Sequence, residues 1–467
     1  MDCCSNRMPL ALNRRDLLRT IACGFGYAAF AGIATAASAA DSTDTLAPRT
    51  PDFTPRAKRV IFLCMQGGPS HVDTFDYKPQ LITDDGKAFG KGFRQGAKLL
   101  ASPWKFRQRG QSGLWISDLF PEVAKHSDEM CLLRGMKTDV PAHPQAQMKM
   151  HTGSFQFVRP SMGAWSLYGL GTANRNLPGF ITINPNSSAQ QYGSAFLPAA
   201  YQGVPVQAKG GGRRGGSASG DPIGNIDNDR FGTKSQREQL DLVQRLNKEH
   251  LKYAKEDAQV EGVIESYELA FRMQAEVPEL MDLTKETKAT LEMYGIGAGG
   301  NDGFARQCLL ARRFAEKGVR FIEVTHGGWD THRNLRTDLD KQAGEVDRPI
   351  AALLTDLKKH GLLKDTLVIW GGEFGRTPYA QNGDGRDHNN KGFTIWMAGG
   401  GVKGGLSYGS TDDYGIEAVE GAMDIHDWHA TMLHLLGLDH EKLTYNHAGR
   451  DFRLTDVKGN VNHAIIA

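Results

Sequence analysis

The chain has 467 residues, 40% of them hydrophobic and 23% charged, with 55 basic and 53 acidic side chains. That is enough apolar material for a core without disulfide staples, and too even a charge to advertise nucleic acid or an anionic membrane as partner. The 55 glycines follow no three-residue period, which excludes a collagen-like rod.

Residues 1–39 read as an export signal and are set apart from the fold. Arg14 and Arg15 stand just before an apolar run from Ile21 to Ala34, and Ala37-Ser38-Ala39 offers small residues for cleavage. The pattern resembles a twin-arginine address, so the export machinery of that route is an expected partner. The run is glycine-rich and too short to favour a membrane span. The expectation is a periplasmic or secreted protein with no integral membrane segment in the mature chain. Removing the segment leaves 51 basic and 51 acidic residues. Three cysteines remain, Cys64, Cys131 and Cys308, in apolar surroundings and without a CxxC pair. They read as buried thiols, although one pair could bridge in an oxidising compartment.

Residues 40–58 are polar and proline-bearing, a tether. Arg59 to Met65 is an apolar run that predicts a buried parallel strand, closed by the turn Gln66-Gly67-Gly68-Pro69-Ser70. Met130 to Arg134 and Leu177 to Ile183 predict two more strands. Residues 207–230 form a glycine-rich loop that lacks the order of a phosphate-cradling P-loop. Residues 233–293 turn helical: Leu240, Val243 and Leu246 give one stripe, and Val260, Val263, Ile264, Tyr267 and Phe271 a second, with Pro278 opening a further turn. The spacing predicts a helix over Phe304–Phe314, a strand over Val319–Val324 and a helix over about Asp347–Lys359 with Pro349 in its first turn. Strands over Thr366–Trp370 and Phe393–Met397 follow. Helices alternating with apolar strands argue for an α/β fold with a mainly parallel sheet. The strands at 59–65 and 319–370 both lead into polar clusters, so residues 59–460 are expected to form a single domain with 233–293 as a helical insertion.

Those clusters lie where strands end, the usual place for chemistry in an open α/β sheet. They are Ser70-His71-Val72-Asp73, then Asp330-Thr331-His332, then Glu373-Phe374-Gly375-Arg376, and last Arg386-Asp387-His388. Imidazole with carboxylate suits Zn²⁺ or Mn²⁺, whereas a mostly carboxylate set would suit Mg²⁺ or Ca²⁺. Metal ligation is assigned to Asp330, His332, Asp387 and His388, with His71, Asp73 and Glu373 as further candidates. Arg376 or Arg386 could clamp a substrate anion through a bidentate fork. Pro69 spoils Ser70 as a nucleophile elbow.

Several stretches carry a family resemblance. They are His71-Val72-Asp73-Thr74-Phe75-Asp76-Tyr77-Lys78-Pro79, Arg159-Pro160-Ser161-Met162-Gly163-Ala164-Trp165, Gly328-Trp329-Asp330-Thr331-His332, and Gly372 to Pro378 with Gly385 to Asn389. Asp427-Trp428-His429 through Asp439 and then Gly449-Arg450 complete the set. Together they resemble the exported bacterial family known as domain of unknown function 1501, which is distantly similar to alkaline phosphatases and sulfatases. The resemblance implies an alkaline phosphatase-like α/β/α sandwich that holds one or two metals at strand ends and hydrolyses phosphate or sulfate esters. It implies Asp387 and His388 on one metal and Asp330 and His332 on the other. Laying Thr152-Gly153 on the end of the sulfatase nucleophile motif puts His143 at the nucleophile position, as phosphoryl acceptor, water-orienting ligand or simply a packed histidine. The Cys-x-Pro-x-Arg run that yields formylglycine is absent. The expected function is a metal-dependent hydrolase of phosphate or sulfate esters. The alternative is a non-catalytic, metal-dependent protein on the same scaffold that binds a glycan or anion, with a polysaccharide as partner.

Overall fold

The structure is a computed structural model that describes residues 45–89, 96–185, 188–208, 232–253, 258–299 and 301–467. The expected export signal (1–39) and all but the first two residues of the glycine-rich loop (207–230) lie outside the described residues.

Strand β1 (Arg59–Met65) sits inside the sheet and shows how the sandwich is built. Ile61, Leu63 and Met65 enter one hydrophobic core, while Val60, Phe62 and Cys64 enter the other. Successive side chains of a strand point to opposite faces, so a run apolar at every position needs cover on both. The remaining sheet strands are β2 (Met130–Lys137), β3 (Phe180–Ile183), β4 (Val204–Val206), β5 (Phe321–His326) and β6 (Thr366–Gly371). After a hairpin, β7 (Gly375–Gln381) and β8 (Gly385–Asn389), come β9 (Phe393–Ala398), β10 (Leu406–Tyr408) and β11 (Met423–Asp424). The order across the nine-stranded sheet is β10-β2-β9-β6-β1-β5-β3-β4, with β11 also on β2. β1 runs parallel to both neighbours, pairing Met65 with His326 of β5 and Leu63 with Trp370 of β6. β9 alone is antiparallel to its neighbours.

The helices divide between the two faces. Helices α1 (His143–Thr152), α2 (Met162–Leu170) and, at the C-terminal end, α7 (Ile425–Leu435) supply Met150, Trp165 and Trp428 to one core. Helices α5 (Gly303–Glu316) and α6 (Leu335–Lys359) supply Cys308, Leu339 and Ile350 to the other. The result is an α/β/α sandwich. Between them in sequence, α3 (Thr233–Leu251) and α4 (Ala258–Met281) pack Leu240 and Val243 against Val263, Ile264 and Tyr267. Among the described residues no helix is long and apolar enough to cross a membrane. Cys64, Cys131 and Cys308 are buried and unbridged.

Three elements differ from the sequence reading. Helix α6 starts at Leu335, well before Asp347, and Pro349 lies inside it. Leu335, Leu339, Ala343, Val346 and Ile350 are all buried along that face. Their burial, about 1.5–3 kcal/mol for each large side chain, outweighs the roughly 3 kcal/mol cost of an internal proline. Helix α4 likewise runs through Pro278 before ending. The third difference bears on the site: the glycine-flanked stretches after β6 form the antiparallel hairpin β7–β8, not loops.

Candidate metal centre

β1 and β5 end side by side, and their following turns cross. Gly67 makes the crossing possible: its φ is +114°, and a Cβ there would lie 2.6 Å from the Asp330 nitrogen. Trp329 is buried and donates its indole N–H to His326 Nδ1 at 3.1 Å, which fixes the turn and leaves Asp330 at its outer edge. Hairpin β7–β8 closes over the same spot. A Cβ on Gly385 would come within 2.0 Å of the His332 carbonyl, so only glycine lets the hairpin approach. A bulge between Arg386 and His388 sets the direction of the latter.

The result is one carboxylate oxygen with three imidazoles around it. Asp330 Oδ1 lies 3.0 Å from His332 Nε2, 3.2 Å from His143 Nε2 and 3.5 Å from His388 Nε2. His332 Nε2 and His388 Nε2 are 2.9 Å apart. One ligand atom from each of these four residues lies within 4.8 Å of all the others. Donors around a tetrahedral Zn²⁺ stand roughly 3.3 Å apart, so the spacing fits a small cation. The far ring nitrogens are held from behind. His388 Nδ1 is 2.6 Å from the Pro141 carbonyl, which can only accept, so the ring proton sits on Nδ1. His332 Nδ1 is 2.5 Å from Gln381 Oε1. With the Nδ1 atoms held in this way both Nε2 atoms face inward, the outer-shell arrangement that metal-binding histidines adopt. Asp330 keeps 45% of its side chain exposed and His388 20%, so one side of the cluster faces solvent.

His143 opens α1 and is gripped from both sides. Its Nδ1 is 2.6 Å from Glu373 Oε1. Its Nε2, though near Asp330, is not aligned with it as a hydrogen bond, which leaves a buried ring nitrogen facing the cluster. Burial alone would lower the His143 pKa, but the Asp330 and Glu373 carboxylates override it and raise it to about 9. Burial works on Asp330 in the opposite sense, raising it, and is overridden by His143, His388 and Arg376, which hold the carboxyl far below its usual range.

The other expected site residues are placed differently. Glu373 is buried and accepts from the Gly67 N–H at 3.0 Å and from Gln147 Nε2 at 3.2 Å, so it braces His143 from behind. Arg376 is fully buried. It donates to Asp330 Oδ1 at 2.6 Å, to the Gly68 carbonyl at 2.9 Å, to the Arg386 carbonyl at 3.3 Å and to the Gly67 carbonyl. A guanidinium so enclosed is a brace for Asp330 and does not reach a substrate, which corrects the expected anion clamp. Arg386 is enclosed as well, in a two-pronged pair with Asp73 at 2.7 and 2.9 Å. That pair takes Asp73 out of the ligand set. His71 is also out, because its Nε2 donates to the Gly415 carbonyl at 2.7 Å while Nδ1 faces the Arg376 N–H at 3.4 Å. Asp387 stands outside the group of four, with Oδ1 accepting the His388 N–H at 2.9 Å.

A second donor group was not foreseen: Cys64, His151 and Glu323, all buried beneath the first. His151 Nε2 is 3.3 Å from Glu323 Oε1 and 4.0 Å from Cys64 Sγ, and its Nδ1 donates to the Gln147 carbonyl at 2.8 Å. The signal available was Glu323 itself, a charge inside an apolar strand. Gln381 and Gln147, which orient the histidines, carried none.

The α/β/α sandwich thus carries, at the crossing of two strand-end turns, a histidine–carboxylate cluster of the kind that can hold a metal ion. The chain belongs to the family described as "Protein of unknown function (DUF1501)", which it matches over residues 57–466. No curated protein matches it. Among solved structures it is similar to the PsFucS1 sulfatase from Pseudoalteromonas sp., at 14% identity and a TM-score of 0.35 over 84% of this chain and 69% of that one. A phosphonate monoester hydrolase from Silicibacter pomeroyi is similar at 12% identity and a TM-score of 0.33, over 81% of this chain and 73% of that one. TAB5 alkaline phosphatase is similar at 13% identity and a TM-score of 0.31, over 76% of this chain and 94% of that one.

Proposed function

We propose that the chain is a metal-dependent hydrolase of phosphate or sulfate esters that works outside the cytoplasm, after twin-arginine export, and without a formylglycine nucleophile. The observation that carries this reading is the convergence of His332 Nε2 and His388 Nε2 on Asp330, with both Nδ1 atoms held by oxygen acceptors. Asp330, His332 and His388 would hold the cation. Two imidazoles and a carboxylate suit Zn²⁺ or Mn²⁺ better than Mg²⁺ or Ca²⁺. A divalent cation there supplies Lewis-acid polarisation of an ester oxygen.

The chain's own contribution centres on α1. Its N-terminus has no side-chain cap, so unpaired N–H groups and the helix dipole favour an anionic ester group beside His143. His143, protonated at neutral pH by its two carboxylate partners, is placed to give a proton to the leaving oxygen at Nε2. The burial of Arg376 favours the second reading, a binder without turnover, because it removes the guanidinium that would neutralise a transferring group.

The test is turnover of aryl phosphate mono- and diesters and aryl sulfates with Zn²⁺, Mn²⁺, Mg²⁺ or Ca²⁺ added, alongside metal content by mass spectrometry. His388→Ala should remove both metal and turnover. His143→Gln should keep the metal and lower kcat at least about a hundredfold, the ordinary scale of acid–base catalysis. A metal-loaded protein inert on every ester would leave the binder.

A further inference from the structure

Two arginines in the family-like stretches, Arg159 and Arg450, have no part in the metal centre. They meet at the far end of α1, in a groove of about 230 Å³ between residues 153–159 and 450–458. The groove opens at the same sheet edge as the centre. β11 continues parallel to the end of β2, pairing Asp424 with Lys137, and α7 starts there; His426 of α7 donates from Nε2 to the Gly153 carbonyl at 2.8 Å. The ten residues of α1 span about 15 Å, which is the distance along the helix from His143 to the groove.

The charge in this groove is one-sided. Lys149, Arg159, Arg450, Arg453 and Lys458 line it, against Asp139 and Asp456. Asp139 pairs with Lys149, and Asp456 pairs with Arg450 at 2.5 Å. Arg453 reaches Glu441 at 3.3 Å. Arg159 makes no hydrogen bond and no ion pair among the described residues; it only stacks. Its guanidinium carbon lies 4.1 Å from the Phe452 ring centroid, and that of Arg450 lies 4.7 Å from the same centroid. Burial, then repulsion from Arg450, lowers the Arg159 pKa, so the pair is held against an electrostatic cost. Around these cations the groove exposes apolar side chains: Phe155, Val457 and Phe157, the last with 61% of its surface open.

We propose that this groove binds an anionic saccharide chain, with sulfate or carboxylate groups on Arg159 and Arg450 and sugar rings against Phe155 and Phe157. Guanidinium forks match planar or tetrahedral oxyanions, and exposed aromatic faces match the C–H side of a pyranose. A bare inorganic anion would gain nothing from the phenylalanines. The inference goes beyond ester hydrolysis, rests on groove residues alone, and is read by binding, so it does not stand or fall with turnover.

The test is calorimetric titration of the whole protein with dextran sulfate, neutral dextran of equal length and polyphosphate at about 0.1 M salt. Dextran sulfate should bind and neutral dextran should not. Arg159→Gln and Arg450→Gln, which keep much of the packing, should each weaken dextran sulfate about tenfold, or 1.4 kcal/mol. Phe157→Ala should weaken dextran sulfate and leave polyphosphate unchanged. Near-ultraviolet circular dichroism checks that each variant is folded, and Arg159→Lys should recover part of the affinity. The proposal is overturned if folded wild type fails to bind dextran sulfate, or if both glutamine variants bind it as wild type does. Polyphosphate binding as tight as dextran sulfate, with Phe157→Ala indifferent, would overturn the saccharide in favour of a general polyanion patch.

Discussion

Helix α1 carries two histidines eight residues apart, and each faces a carboxylate, yet the two sites are built for opposite ends. His151 and Glu323 are each 1% exposed, with Cys64 beside them and no route to water. Burial would lower the His151 pKa, but Glu323 reverses that and raises it, within a pair sealed from solvent. Both His151 nitrogens are occupied, one by the Gln147 carbonyl and one by Glu323. His143 has only Nδ1 fully engaged, by Glu373, while Nε2 faces a half-exposed carboxylate and two further imidazoles. The same residue types therefore hold α1 on the sheet at one end and present open ligand atoms at the other. What separates them is solvent access and the destination of the second ring nitrogen.

The sharpest way to break the comparison is His151→Ala, which strands Glu323 in the core. It should cost about 3–5 kcal/mol in denaturant unfolding, whereas His151→Leu with Glu323→Leu should recover most of that. A cost below about 1 kcal/mol for the single change would mean that the inner pair is not what fastens the helix. At the outer cluster, His388→Ala should do the reverse: at least about a hundredfold loss of Zn²⁺ affinity by chelator competition, with metal-free stability within about 0.5 kcal/mol of wild type. Gln381→Ala removes only the acceptor behind His332, and a loss nearer tenfold is expected.

The pH dependence sharpens the same contrast. A histidine raised to about 9 stabilises the metal-free fold fully below its unfolded value near 6.5, and that contribution is lost as pH climbs to about 9. Because the protonated ring is the proposed acid, kcat should fall with a clear slope as pH climbs past about 9, and His143→Gln should flatten that limb. An equally steep slope in that variant would uncouple His143 from the centre.

Much of this was legible in the sequence, for reasons that differ by element. β1 was readable because a run apolar at every position is hard to place anywhere except inside a two-faced sheet. The clustering of Asp330, His332 and His388 was readable because each follows or borders such a strand. Asp387 was drawn in by adjacency to His388, but its Oδ1 accepts the His388 N–H and it stands outside the group of four. His71, Asp73 and Arg376 have the right chemistry, but their partners are backbone carbonyls and a buried arginine, and only the fold decides that. β5 extends to His326, two residues past the expected Val324, because pairing with β1 continues to Met65. The helix α6 was read short because a proline looked like a boundary, and its apolar stripe proved the stronger signal.

The hairpin β7–β8 is joined to the molecule through short turns and hydrogen-bonds as a two-stranded sheet of its own, outside the nine-stranded one. His388 rides on it, while His332 rides on the loop after β5, 56 positions earlier. A cation shared by the two would act as a cross-link, closing that length of chain into a ring and removing from the unfolded ensemble the entropy of an open loop. Amide hydrogens of residues 375–389 should then exchange more slowly in the loaded protein than in the stripped one, while those of β1 should not change. The centre would thus report its own occupancy as the rigidity of a hairpin, which makes ligation and local order a single equilibrium.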